Sequence, residues 1–275
     1  MSAEAIQDLT VQTLNVSLML SVGLELDLSE LRAVLRRRGL LVGVTVVNFG
    51  LVPAVALGLT AALGLSGAMA AGLLLCAFAP GGGTGTLLTR VAGGNLELSV
   101  VMLAVFTVLA VPLTPALTLW SLGGASGSGL SLAPMLGTLV SFQLTPLLIG
   151  LAMRRWAPPL ADRVNGIARP LSNMVFAGLV LGLLITRGHL VTAVDPMGLI
   201  AIAGVVAVTL AAPLLMPGPP RDRAAVSLTT GVRNLALVLL LSTTFFDAET
   251  TIAVLAYGLI MYIESVPLAL RWRRG

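Results

Sequence analysis

The chain contains no lysine, one cysteine and one histidine in 275 residues, and only 10% of its residues are charged. Each shortage excludes something. With no lysine, the glycine-rich stretch 81–85 is not followed by the Gly-Lys-Ser/Thr of a nucleotide loop, nor does a strand signal precede it. A lone cysteine excludes an intrachain disulfide, and Cys76, set inside an apolar run, reads as a small packing residue. His189 falls between apolar runs beside Arg187 and reads as solvated, not as a ligand or proton shuttle. A membrane enzyme needs a nucleophile with its base, a metal cluster or an acidic pair within the spans, and none is present, so neither catalytic residue nor cofactor is expected. The segment 1–12 carries Glu4 and Asp8 and lacks the basic region of a cleavable signal peptide. The net charge of +4 and high isoelectric point would suit nucleic acid, but the arginines sit in short segments between apolar runs, where they orient helices.

What is abundant is apolar. With 57% hydrophobic residues the chain reads as an all-α integral membrane protein, and its apolar runs give nine candidate spans: 9–26, 39–63, 66–92, 95–119, 133–153, 168–186, 195–216, 222–246 and 249–271. Alternate connections sort by arginine. One side takes Arg32, Arg36, Arg37, Arg38, Arg90, Arg154, Arg155, Arg163, Arg169, Arg221, Arg223, Arg271, Arg273 and Arg274; the other takes Arg187 with acidic Glu4, Asp8, Asp195, Asp247 and Glu249. This asymmetry predicts an external N-terminus and a cytoplasmic C-terminus, with Trp156 and Trp272 as interfacial anchors. The Gly/Ser-rich segment 120–132 reads as an external linker between four spans, 9–119, and five, 133–272. Both sides show the same order: a span with a central proline (Pro53; Pro213), a broken span (Gly82; Gly231), then a span with a late proline (Pro112 and Pro115; Pro267). Corresponding spans lie five apart, an odd number, which predicts an inverted repeat whose first half lacks one helix.

The broken spans carry the functional signal. Ala79-Pro80-Gly81-Gly82-Gly83-Thr84-Gly85-Thr86 interrupts one, and Thr229-Thr230-Gly231-Val232-Arg233-Asn234 interrupts the other. In hydrocarbon an opened backbone is tolerated only where protein or a wet cavity surrounds it, so each break marks a site. Gly82, Gly83, Thr84, Gly85, Thr86, Thr229, Thr230, Gly231, Arg233 and Asn234 are therefore the expected substrate-binding crossover, where half-helix N-termini favour a small organic anion. Arg233, deep in a span, is functional by default; the alternative is an ion pair with Glu264, which also lies close enough to Arg271 to reach the interface. A channel would show a continuous polar stripe or charged ring, and a purely structural membrane protein has no need of two breaks. Gly178 and Gly182 form a weak GxxxG, and the methionines read as packing or lipid-facing. The oligomeric state is not legible.

Several motifs together carry a resemblance: Cys76, Ala79-Pro80-Gly81-Gly82, Thr89 and Gly94-Asn95-Leu96-Glu97-Leu98-Ser99-Val100 within 73–100; Val22-Gly23-Leu24-Glu25-Leu26 before Leu31-Arg32; Asn48-Phe49 before Val52-Pro53; and Gly231-Val232-Arg233-Asn234-Leu235-Ala236. In this order, and over nearly the whole chain, they resemble the bile acid:sodium symporter family. The resemblance implies a panel domain (spans 9–26, 133–153 and 168–186) moving against a core domain (39–119 and 195–271) that contains two crossing discontinuous helices. It also implies alternating-access transport of an organic anion such as a bile acid, pantothenate, a sulfated steroid or a small carboxylate. Nine spans resemble the animal members, while the compact, lysine-free sequence suggests a bacterial inner membrane. The family's sodium positions are altered here. Gly85 and Thr86 stand where the family has Ser-Asn, Thr229 and Arg233 where it has Glu and Gln, Asn48 for Gln and Leu103 for a hydroxyl; Ser99 alone matches. Too few oxygens and no carboxylate remain, so transport without sodium at these sites is expected, by uniport, exchange or proton coupling. The alternative is residual sodium held by Ser99, Thr84 and backbone carbonyls. The resemblance gives Arg233 two readings: a built-in cation bonded to opened carbonyls, or a fork for the substrate anion.

Overall fold

A computed structural model describes residues 3–123, 130–187, 195–211, 213 and 217–273. Every regular element among them is helical: α1 (Ala3–Glu25), α2 (Leu28–Leu35), α3 (Arg38–Val46), α4 (Val52–Ala62), α5 (Gly67–Ala77), α6 (Gly83–Val91), α7 (Leu96–Leu122), α8 (Leu132–Leu139), α9 (Thr145–Trp156), α10 (Pro158–Arg187), α11 (Pro196–Ala211), α12 (Pro220–Gly231), α13 (Leu235–Phe245) and α14 (Ala248–Arg273). Two π-helical segments, Val47–Leu51 and Val140–Leu144, join α3 to α4 and α8 to α9. Each directly precedes a proline-initiated helix, with Pro53 and Pro146 at the first positions. Proline has no N–H to continue the four-residue ladder, and the preceding N–H steps back five, Val52 to Val47 and Thr145 to Val140.

All nine apolar runs fall on helix, with shifted bounds. Five helical stretches among the described residues are long and apolar enough to cross a membrane: Arg38–Ala62, Leu96–Leu122, Leu132–Trp156, Pro220–Phe245, which contains a short break, and Ala248–Arg273. A sixth arises if Asp8–Glu25 and Leu28–Leu35, bent by 84°, form one span. Two stretches that the arginines mark as connections are helical. The connection containing Arg163 and Arg169 is helical, because α10 begins at Pro158, whose fixed φ suits a first turn, and continues through Pro170 to Arg187. Residues 28–35 form α2, capped by Asp27, whose carboxylate accepts the Ser29 hydroxyl and, at 2.6 Å, the Ser29 N–H, and so sits below its ordinary pKa. Pro213 follows α11, described from Pro196 to Ala211, and its neighbours 212 and 214–216 lie outside the described residues. His189 and residues 124–129 of the Gly/Ser-rich linker lie outside the described residues, as do Arg274 and the Arg187 side chain.

α1 packs most extensively on α9 and α10, where Gly23 and Gly150 let the backbones of α1 and α9 touch. The same trio is tied by polar bonds: Glu25 takes Arg169 and the Asn165 amide (3.2 Å), Ser21 donates to Asn165 (2.6 Å), and Arg154 donates to the Leu24 carbonyl. The other elements gather around α12 and α13, whose apolar window is wholly enclosed. α12 lies against α6, α7 and α11, while α14 covers α5, α11 and α13.

Candidate crossover site

The first break is shorter than the glycine pattern predicts. α5 ends at Ala77, and the helix resumes at Gly83, leaving 78–82 open, so Gly83, Thr84, Gly85 and Thr86 are helical. Gly81 takes a positive φ of 76°, which reverses the chain. The second break is only 232–234, because Asn234 caps α13 at once through its side-chain oxygen and the Leu237 N–H, 3.1 Å. The two breaks bond to each other. Gly82 N–H donates to the Val232 carbonyl at 2.7 Å, and Asn234 N–H donates to the Ala79 carbonyl at 2.9 Å. The strands of open backbone thus satisfy each other, as burial requires. A Cβ on Gly82 would run into the Arg233 carbonyl and lie 3.1 Å from Val232. Thr114 on α7 donates to the Phe78 carbonyl at 2.6 Å.

Arg233 sits in the middle of this crossing and is 1% exposed. Its Nε donates to the Cys76 carbonyl at 3.0 Å, one terminal nitrogen to the Ala77 carbonyl, and the other to Asn48 Oδ1 at 2.8 Å and the Thr230 carbonyl at 3.4 Å. Cys76 and Ala77 close α5, so the guanidinium caps carbonyls at the negative end of that helix, where the Cys76 carbonyl also accepts the Ala79 N–H at 3.3 Å. The ion-pair alternative fails: the salt bridges among the described residues are Arg37–Asp222, Arg154–Asp162 and Arg169–Glu25, and Glu264 does not pair with Arg233. Met261, expected to be mere packing, accepts the Arg233 backbone N–H at 3.1 Å. Cys76 is buried as expected, and its carbonyl is the part that works.

The remaining predicted positions divide. Asn48, in the π turn of 47–51, bridges Arg233 and the Thr230 hydroxyl (3.1 Å). The Ser99 and Thr229 hydroxyls, both fully buried, bond each other at 2.7 Å. Thr86 bonds back to the Gly83 carbonyl at 2.7 Å, Gly85 seats α6 against Thr229 and Val232, Gly231 lies under Leu210, and Leu103 packs in the apolar core. A cavity of about 30 Å³, room for about two waters, separates the crossing from α1 and α10. Gly82, Gly83, Thr84, Arg233 and Asn234 line it; Gly85, Thr86, Thr229, Thr230 and Gly231 do not. Sequence reasoning missed its other polar walls, Ser172 and Asn173 on α10 and Tyr262 on α14, whose hydroxyl meets Thr84 at 2.8 Å. It also missed Asn15, which bonds the Ala236 carbonyl from α1 at 2.8 Å. Polar residues inside apolar runs were the available signal. The first N–H groups of α6 and α13 border this cavity, and the Asn234 amide nitrogen beside them has no hydrogen-bond partner.

Two interrupted helices bonded through their breaks, beside a small cavity lined in part by both, are the arrangement of a membrane transporter with discontinuous helices. Residues 14–214 match the model of the sodium bile acid symporter family, and the chain belongs to that family, which is one of transporters rather than enzymes. The match includes the first break; the second lies beyond it. "Probable sodium/metabolite cotransporter BASS1, chloroplastic" of Arabidopsis thaliana is 31% identical over 157 residues, 56% of this chain and 38% of its own length. "Hepatic sodium/bile acid cotransporter" of Rattus norvegicus is 30% identical over 145 residues, 51% of this chain and 40% of its own length. "Probable sodium/metabolite cotransporter BASS3, chloroplastic" of Oryza sativa subsp. japonica is 23% identical over 271 residues, 94% of this chain and 62% of its own length, so its match extends through both breaks. The chain therefore matches less than two thirds of the length of each of these relatives.

Proposed function

We propose that the protein is a secondary transporter that moves a small organic anion across the membrane by alternating access, without a dissociable sodium ion at the crossover. The observation that carries this reading is the Arg233 guanidinium, enclosed and bonded to the Cys76, Ala77 and Thr230 carbonyls and to Asn48. A hard cation at a crossover serves to satisfy oxygens of opened backbone, and here a covalently attached cation already does so. Sodium at Ser99 has poor support, since that hydroxyl is engaged with Thr229 at 2.7 Å. The anion would meet the crossing at the small cavity, which must widen well beyond its two-water size to admit it, and where the N-terminal ends of α6 and α13 and the unpartnered Asn234 amide offer donors. The remaining features of the reading are nine spans in an inverted repeat, an external N-terminus and cytoplasmic C-terminus in a bacterial inner membrane, and α1, α8, α9 and α10 rocking as a panel against the other helices. The extensive packing and polar ties among α1, α9 and α10 support that division.

Proteoliposome uptake of labelled organic acids tests the sodium claim. Uptake should persist when choline fully replaces sodium; its complete loss would restore the sodium-coupled reading that the relatives' names carry. Arg233→Gln alone should abolish transport. Adding Thr229→Glu to it should return some transport that now requires sodium. Continued inactivity of the double variant would assign the guanidinium to the substrate anion instead.

A further inference from the structure

The small cavity lies on a seam. Leu14 and Leu18 of α1 with Ser172 of α10 stand on one side of it, and Gly82, Arg233 and Ala236 of the crossing helices stand on the other. The bonds within the outer group and the bond across the seam differ in kind. Within the group of α1, α9 and α10 the links are several and charged: Glu25 takes Arg169 and the Asn165 amide, and Arg154 holds the Leu24 carbonyl. Toward the crossing, α1 makes one hydrogen bond between nitrogen and oxygen among the described residues: Asn15 Nδ2 donates to the Ala236 carbonyl at 2.8 Å. The Thr107 hydroxyl on the Met19 sulfur, at 3.8 Å, is a weaker companion. Asn15 is fully buried, so water does not compete for its bond.

We infer that Asn15 is the latch that holds this seam shut, and that its bond to Ala236 breaks whenever the cavity widens to admit a ligand. The inference rests on the reading in which α1, α8, α9 and α10 move against the other helices. Both partners are built for release. Asn15 Nδ2 carries a second hydrogen, which bonds the Val11 carbonyl one turn back in α1 at 3.0 Å and keeps the amide in place whether the seam is open or closed. The Ala236 carbonyl sits in the first turn of α13, where the helix ladder also bonds it. Opening therefore breaks one neutral hydrogen bond and strips no buried ion pair. Asn15 Oδ1 is buried without a partner, so the amide closes the seam through its nitrogen alone. The latch also lies where a ligand acts on it. Ala236 and Asn234, the cap of the same helix, both border the cavity, and a ligand that fills it pushes apart the two sides that the bond joins.

Ser172→Cys in the full chain, purified in detergent, reports on the seam, because Ser172 is 1% exposed in the cavity wall and the native Cys76 is buried. Its rate of reaction with a small maleimide measures how often the seam opens, with no transport involved. Adding Asn15→Leu, which removes the amide at nearly the same volume and so leaves no new hole, should speed the reaction about fivefold, the worth of one hydrogen bond between membrane helices. An equal rate in the two backgrounds would overturn the latch alone. Ser99→Ala separates a latch from general loosening: it removes the buried bond to Thr229, does not touch the cavity and should leave the rate unchanged. A matching increase with Ser99→Ala would overturn the latch. Reaction only after unfolding, with and without Asn15→Leu, would overturn the moving panel and the latch with it.

Discussion

The two breaks solve one problem by opposite means. At the first, 78–82, the chain removes side chains: Gly81 turns where a β-carbon would be strained, and Gly82 lets the Arg233 carbonyl approach. At the second, 232–234, the chain adds them: Arg233 reaches back to the end of α5, and Asn234 caps α13. The first break cannot satisfy its own carbonyls and the second cannot approach without the glycines, so neither is stable alone. An opened helix inside a membrane is thus a two-part object, with the vacancy and the donor on segments more than 150 residues apart.

The largest effect should come from removing the donor. Arg233→Met leaves the Ala77 carbonyl and the Asn48 amide oxygen without the guanidinium and the Cys76 carbonyl with only the long Ala79 bond, and at about 1–3 kcal/mol for each of the two unsatisfied groups the loss should be about 4 kcal/mol, read as thermal unfolding in detergent. Arg233→Lys keeps the charge but not the fork and should fall between. Unchanged unfolding of Arg233→Met would break the complementarity. Filling the vacancy should cost less: Gly82→Ala meets backbone and should lose about 2 kcal/mol. Gly83→Ala meets the end of the Leu18 side chain at 2.9 Å, which can move, and should lose less than half of that. Equal costs would mean that close approach does not define the first break. The smallest effect belongs to the pair beneath the second break, where Ser99→Ala should lose about 1 kcal/mol and leave the crossing geometry intact. A larger loss than that of Gly82→Ala would move the centre of the site from the carbonyls to the hydroxyls.

The vacancy is legible in the local sequence, whereas the donor's purpose enters only through the family resemblance, as one of two readings. Gly81, Gly82 and Pro80 announce a break by local chemistry, and apolar runs of span length announce helices. Arg233 announces only that it is expensive. Its partners at Cys76 and Ala77 are backbone atoms, which every residue carries alike, so no residue type marks them. The same holds for Asn15 on the Ala236 carbonyl. The start of α10 is hidden because Arg163 and Arg169 look like a connection, yet Arg169 is paired with Glu25 inside the bundle and the helix runs through. The cavity walls Ser172, Asn173 and Tyr262 come from helices that no local pattern brings together.

The π turn that holds Asn48 carries one residue more than an α-helix needs over the same rise. Deleting Gly50 would repair it, giving a more regular helix and restoring the ordinary hydrogen-bond ladder. The repair would also rotate α3 and Asn48 by about 100° relative to α4. With α4 fixed by buried Val52, Pro53 and Ala56, the part that turns is the one bearing Asn48. The amide would swing off the guanidinium and the Thr230 hydroxyl together. In this span the irregularity sets the angular phase of one side chain, and a shorter, better helix would be out of step with its own core.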